Sequence, residues 1–219
     1  MDTLRIQGGT PLRGTVTVHG AKNSALPLLA ATLLCHGTAT LEHCPCLSDV
    51  GVALEILRHL GCRAERRIHT VTVDAAALTR AEIPDRLMRQ MRSSIVFLGA
   101  ILARCGEAEL TYPGGCELGP RPIDLHLAAL RRLGAEIREE HGYIRCLAPG
   151  GLQGAEITLA FPSVGATENV LLAACTARGQ TVLHHAAQEP EIDDLCGFLN
   201  ACGARIHAPS PGVLQLEGV

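Results

Sequence analysis

The chain has 219 residues, 47% of them apolar, enough for one large domain or two small ones with a real core. A net charge of −3 and an aromatic content of 2% argue against a nucleic-acid binder, which needs a basic face and stacking rings; small anionic ligands, which need only local positive charge, stay open. No apolar run is long enough to span a bilayer, and the opening MDTLRIQGG lacks the layout of a signal peptide. The ten cysteines therefore read as reduced thiols, five of them (Cys35, Cys105, Cys175, Cys196, Cys202) in apolar or small-residue surroundings where cysteine acts as a small hydrophobe. Residues 35–46, CHGTATLEHCPC, hold zinc-ligand residue types without any usual zinc spacing, so no metal is expected there.

In chain order the pattern is a threefold internal repeat. Residues 24–41 (SALPLLAATLLCHGTATL), 93–110 (SSIVFLGAILARCGEAEL) and 166–183 (ATENVLLAACTARGQTVL) each read as an apolar helix, a glycine and a short alternating strand. Gly37, Gly106 and Gly179 are the expected left-handed C-caps. A second helix closes each unit with LRHLGCRAE (57–65), LRRLGAEIR (130–138) or LNACGARIH (199–207), again ending at glycine: Gly61, Gly134 and Gly203, which are 73 and then 69 residues apart. The final strands are residues 69–75, 142–148 and 212–218. The order helix, strand, helix, strand, strand predicts an α/β fold in which three repeats pack around a common axis, an inside-out α/β barrel or pseudo-threefold prism. The first helices, apolar all round, are buried inside it and the sheets lie outside.

Polar clusters precede the three apolar helices: GAKNS (20–24), RQMRSS (89–94) and PSVGAT (162–167). With the units arranged pseudosymmetrically, the three N-termini share one end, and their unpaired N–H groups and partial positive charge make a phosphate site. Ser24, Ser93 and Ser163, each taken alone, also read as ordinary N-caps. The chain has 18 arginines and one lysine, Lys22, which stands inside the first cluster, where a compact point charge suits a crowded phosphate or carboxylate.

These segments, together with PGGCELGPRPIDLHLAALRRLGAEI (113–137) and AAQEPEIDDLCGFLNACGARI (186–206), closely resemble enolpyruvyl transferases of the UDP-N-acetylglucosamine 1-carboxyvinyltransferase family over essentially the whole chain. The resemblance implies transfer of the enolpyruvyl group of phosphoenolpyruvate to the 3-hydroxyl of UDP-N-acetylglucosamine. The reaction runs by addition and elimination through a tetrahedral ketal, with phosphate release. It is the first committed step of peptidoglycan synthesis, in the cytoplasm, without cofactor or metal. It further implies that Cys116 is the loop cysteine that protonates the C3 methylene, with Arg121 beside it to favour the thiolate, and with Gly114 and Gly115 letting the loop close. Lys22 and Asn23 correspond to the phosphoenolpyruvate-contacting pair. Arg92, Arg121, Pro122, Ile123, Asp124 and Leu125 correspond to the nucleotide-sugar lip, and Ser163, Val164 and Gly165 to the backbone cradle of the uridine diphosphate. Glu189 and Glu191 resemble carboxylates near the domain hinge, and a solvated acidic helix start explains them equally well.

Members of that family have two domains of similar build and roughly twice this length. The resemblance therefore assigns residues 1–20 to a strand segment of the other domain and residues 21–219 to the nucleotide-sugar domain. It leaves the second domain's acid/base aspartates and the arginine completing the phosphoenolpyruvate site outside this chain. Its partners are the two small-molecule substrates and a second domain or complementary chain, and alone it is expected to be inactive. A non-catalytic UDP-sugar-binding module is the alternative; a shikimate-type transferase on the same fold is disfavoured by the cysteine loop.

Overall fold

Helix α1 (Lys22–Ala31) opens the first of three similar runs of elements in the computed structural model, which describes residues 3–114 and 123–219. It passes through a 3₁₀ turn (Thr32–Leu34) into β1 (Thr38–Leu41), α2 (Ser48–His59), β2 (Arg63–Arg67) and β3 (Thr70–Asp74). The second run begins with the short α3 (Asp85–Met88) and a 3₁₀ turn (Arg92–Val96). It continues as α4 (Phe97–Cys105), β4 (Glu107–Thr111), α5 (Asp124–Arg132), β5 (Glu136–Glu140) and β6 (Tyr143–Leu147). The third comprises β7 (Glu156–Thr158), α6 (Val164–Ala174), β8 (Gln180–His184), α7 (Pro190–Ala201), β9 (Arg205–Ser210) and β10 (Val213–Glu217).

Each run makes its own sheet with the same strand order: β1-β3-β2, β4-β6-β5 and β8-β10-β9, with β7 added parallel to β8 at the edge of the last. In the first sheet β1 and β2 both run antiparallel to β3 and hence parallel to each other, with α2 as the crossover. The central strands alternate: Val71 and Val73, Ile144 and Cys146, Leu214 and Leu216 are buried while their neighbours are not. Edge strands β2 and β5 carry Arg63, Glu65 and Arg67 and Glu136, Arg138 and Glu140, charges that discourage pairing with another chain. The expectation of three repeated units with apolar first helices holds: α4 is buried along Phe97–Leu102 and α6 from Ala166 to Ala174.

The caps correct the sequence in three places. Gly106 and Gly179 adopt positive φ as expected, but Gly37 does not, because the first helix tightens into a 3₁₀ turn and exits through an extended Cys35. Ser24 lies inside α1, whose cap is Ala21, and its hydroxyl donates to Asp194 Oδ2 at 2.6 Å; Ser93 lies inside the 3₁₀ turn. Of the three serines only Ser163 caps, accepting from the Ala166 N–H at 3.4 Å. Gly61, Gly134 and Gly203 all adopt positive φ. Across the third of these, Asn200 clamps β9 to α7, its amide N–H donating to the Ile206 carbonyl at 3.0 Å and its carbonyl accepting the Ile206 N–H at 2.8 Å. Asn200→Ala is expected to lower stability by about 1–2 kcal/mol in urea unfolding, since two backbone bonds lose their partner.

Residues 3–20 form neither helix nor strand, and Leu4, Ile6, Leu12, Val16 and Val18 are each more than four-fifths exposed. The strand expected there has no ladder partner among the described residues. No helix among the described residues is long and apolar enough to cross a membrane.

Candidate functional site at the helix tips

Three runs of elements of like order bring the starts of their first helices together. A cleft of about 200 Å³ is lined by Asn23, Leu26 and Pro27 from α1, Ser93 and Val96 from the turn leading into α4, Val164 and Glu168 from α6, and Glu191 from α7. A larger groove of about 570 Å³ lies between Thr79–Glu82 and the charged residues of the β4-β6-β5 sheet. There Arg80 pairs with Glu82 and Arg145 with Glu109, and Glu107, Glu136 and Glu140 face only Arg138, so the groove is acidic and repels an anion, and the helix tips are the better site.

At those tips the first backbone N–H groups of α1 and of the turn before α4 have no side-chain cap. They are free to meet an anion. Pro27 has no N–H to offer the Asn23 carbonyl one turn back, so that oxygen is also left without its helical donor. Asn23 Nδ2 donates to Glu191 Oε1 at 3.2 Å. Lys22 lies beside the cleft rather than in its lining, its ammonium 3.0 Å from Asp49 Oδ2; at 47% exposure this is an ion pair that a ligand's charge can displace.

The lip and the cradle expected from the sequence meet directly. Ile123 is buried at the start of α5, followed by Asp124 and a half-buried Leu125, and the next residue, His126, packs its ring against Gly165 in the first turn of α6. A Cβ at Gly165 would stand 2.9 Å from the ring's Cε1. Arg92 opens the 3₁₀ turn next to Ser93. Gly115, Cys116, Arg121 and Pro122 lie outside the described residues. Gly114, expected to lend the loop freedom, is a close-approach glycine: its N–H donates to the Met88 carbonyl at 3.1 Å and a Cβ there would meet Arg89 Cα at 2.7 Å. Glu189 caps α7 and accepts from the Gln188 N–H.

Three residues at the site were not singled out from the sequence. Asn169 is fully buried, and its Oδ1 accepts the Gly99 N–H at 2.7 Å, which fixes the orientation of the amide. Its Nδ2 is then directed at the Ile95 carbonyl at 3.1 Å and at His126 Nδ1 at 2.8 Å. One side chain thus joins α4, α5 and α6 just below their tips. Because His126 Nδ1 must accept, the ring is neutral with its proton on Nε2; burial pushes its pKa down to about 4, against a small opposing pull from Asp124. Glu168 is 7% exposed, and burial, reinforced by Glu191, pushes its carboxyl up to about 8. At neutral pH it is therefore largely protonated, a hydrogen-bond donor in a cleft that would otherwise carry two carboxylates. The signal for Glu168 and Asn169 was the pair Glu-Asn inside an apolar run, VGATENVLLAA, since polar residues in a buried helix need a partner or a ligand.

Repeated units around buried helices, with three helix tips framing one cleft, define an α/β protein of the repeated-unit kind. The family model for EPSP synthase (3-phosphoshikimate 1-carboxyvinyltransferase) matches residues 6–219, and the chain belongs to that family. It is 52% identical over 219 residues to UDP-N-acetylglucosamine 1-carboxyvinyltransferase 2 of Caldanaerobacter subterraneus subsp. tengcongensis, covering all of this chain and 52% of that one. It is 48% identical to UDP-N-acetylglucosamine 1-carboxyvinyltransferase 1 of Symbiobacterium thermophilum, covering 98% of this chain and 50% of the other. Among solved structures, the enolpyruvyl transferase NikO from Streptomyces tendae superposes with a TM-score of 0.83 at 28% identity, over 97% of this chain and 50% of that one. EPSP synthase from Acinetobacter baumannii, at 22% identity and a TM-score of 0.72, shares the fold. The chain spans about half the length of the curated relatives it matches.

Proposed function

We propose that the chain is the nucleotide-sugar half of an enolpyruvyl transferase that moves the enolpyruvyl group of phosphoenolpyruvate to the 3-hydroxyl of UDP-N-acetylglucosamine with release of phosphate. Its place would be a committed step of cell-wall synthesis in the cytoplasm. The observation that carries the reading is the convergence of the tips of α1, α4 and α6 on one cleft, with Ile123–His126 packed on Gly165, in a chain about half identical to enzymes of that name. On this reading the repeats form an inside-out α/β barrel, residues 21–219 are one domain, and residues 1–20 belong with a second domain or complementary chain that closes the cleft.

The residue roles follow from the chemistry. The N–H groups of the first turn of α6, at Ser163, Val164 and Gly165, and the guanidinium of Arg92 hold the diphosphate, while Ile123, Asp124 and Leu125, with Arg121 and Pro122, grip the sugar. Lys22 leaves Asp49 for the carboxylate and phosphate of phosphoenolpyruvate, with Asn23 beside it. Cys116 delivers a proton to the C3 methylene as the sugar oxygen adds to C2 and the 3-hydroxyl proton passes to an acid/base aspartate of the second domain; elimination then takes a proton back from C3 and expels phosphate.

Calorimetric titration with UDP-N-acetylglucosamine tests the reading. The 219-residue chain is expected to bind it, and Arg92→Ala to weaken binding about tenfold, the loss of one charge-assisted contact of roughly 1.4 kcal/mol. A phosphate-release assay with phosphoenolpyruvate is expected to show turnover only when a second-domain chain is supplied, and Cys116→Ala to abolish it. Binding that never leads to phosphate release with any second domain would instead identify a non-catalytic binding module, and no binding at all would remove the reading.

A further inference from the structure

Helices α1 and α7 lie side by side and run in the same direction, and they are joined at both ends. At the cleft end Asn23 and Ser24 hydrogen-bond Glu191 and Asp194. At the far end Cys35, which ends the 3₁₀ turn after α1, places its Sγ 3.7 Å from the Sγ of Cys202, the residue that caps α7. Two thiols at the edge of contact, 167 residues apart in sequence and contributed by the first and third repeats, are not explained by the chemistry at the helix tips. They are also reachable, Cys202 being exposed and Cys35 partly so, whereas the neighbouring Cys175 is buried at 5% exposure.

We propose that Cys35 and Cys202 are a dithiol–disulfide pair, a modification site that takes a low-molecular-weight disulfide of the glutathione kind as its oxidant. The Cys202 thiolate attacks one sulfur of that disulfide. A Cys202–glutathione bond forms, the reagent's S–S bond breaks, and glutathione leaves as a thiolate. The Cys35 thiolate then attacks the Cys202 sulfur, forming the Cys35–Cys202 bond and expelling the second glutathione. Two electrons pass from the protein thiols to the reagent, and the two thiol protons end on the two departing glutathiones.

The order of attack follows from the surroundings. Burial, reinforced by the adjacent Cys202, pushes the Cys35 thiol up to about 12, so it is the poor first nucleophile and Cys202 is the entry point. Once Cys202 is in a mixed disulfide it no longer raises the Cys35 thiol, the Arg104 guanidinium offsets part of what burial still does, and the 3.7 Å approach of the two sulfurs carries the second step. The product ties the first repeat to the third at the end opposite the cleft, closing a long loop and restricting the unfolded chain.

The test is oxidation of the native 219-residue chain with glutathione disulfide, followed by alkylation of free thiols and peptide mapping by mass spectrometry. The expected result is one intramolecular disulfide between Cys35 and Cys202, with an unfolding midpoint raised by roughly 5–15 °C and returned to its starting value by dithiothreitol. In Cys35→Ser, Cys202 is expected to stop as the mixed disulfide with glutathione; in Cys196→Ser, the disulfide is expected to form as in the parent. Unfolding midpoints of the reduced variants check that each is folded. A disulfide that maps to Cys175 or Cys196, a mixed disulfide at Cys202 that persists in the parent chain, or no loss of these two thiols overturns the proposal.

Discussion

Gly99→Ala is expected to destabilise the protein by about 3 kcal/mol or more, read as a fall of roughly 10 °C in the unfolding midpoint, although alanine is the better helix former. The reason is the crossing of α4 and α6. A Cβ at Gly99 would press into the backbone carbonyl of Asn169 and stand 2.9 Å from its Oδ1, the atom that accepts the Gly99 N–H. The contact is with backbone and with an anchored amide, so no rotamer change relieves it. The helices must separate, which loosens every bond Asn169 makes to Ile95 and His126. The same substitution changes sign where helical glycines face open space. At Gly51 in α2 and Gly197 in α7 a Cβ meets nothing within 4 Å, and alanine there is expected to add about 0.5–1 kcal/mol. Thermal unfolding of the three variants together separates close packing from propensity: equal effects at all three sites would refute the account of the crossing.

Glu168→Gln is expected to remove most of the loss of stability between pH 6.5 and 8; the buried thiols Cys35, Cys62, Cys146, Cys175 and Cys196, raised from 9.0 to about 11–12, weaken the fold only at higher pH. The Glu168 carboxyl is raised from 4.5 to about 8 in the folded protein, so the unfolded chain gives up its proton first. Relative to an unshifted group, its contribution is complete below pH 4.5 and is lost as pH rises towards 8. His126 acts in the opposite sense: with its pKa lowered from 6.5 to about 4, its contribution is present above pH 6.5 and lost as pH falls towards 4. Between pH 4.5 and 6.5 the two slopes oppose, and from these two groups the profile is flat. Above 6.5 only Glu168 still titrates, and over the 1.5 units to pH 8 the fall amounts to about 2 kcal/mol. The groups facing Glu168 include Asn23 and Ser93, which are neutral, and Glu191, whose charge adds to the effect. In urea unfolding as a function of pH, the glutamine variant is expected to lose this step. A step of undiminished size in the variant would assign it to another group.

Much of the fold and part of the site were legible in the sequence. The three repeats were visible because each demands the same local chemistry: an apolar helix, a strand with alternating burial, and a glycine at positive φ. The polar helix starts were expected at one end, and Asn23, Ser93 and Val164 line one cleft; the segments marked by motif at Ile123–Leu125 and Ser163–Gly165 are brought together through His126 and Gly165. Lys22 was marked as the only lysine, yet its partner is Asp49, a residue 27 positions away that no local pattern points to. β7 and α3 went unmarked because three- and four-residue elements carry too few side chains to show a period.

What the sequence determined by itself is whatever repeats within a few residues: the helix and strand types, most of the glycine stops, and the polar character of the helix starts. The tertiary structure alone decided which side chains meet. Asn169 bridges helices that begin about 70 residues apart, Glu168 becomes neutral only when α1, α6 and α7 exclude water from it, and Cys35 faces Cys202 only because α1 and α7 are parallel. Hydrogen bonds and burial across helices depend on distances through space, and those exist only once the three repeats have closed on one another.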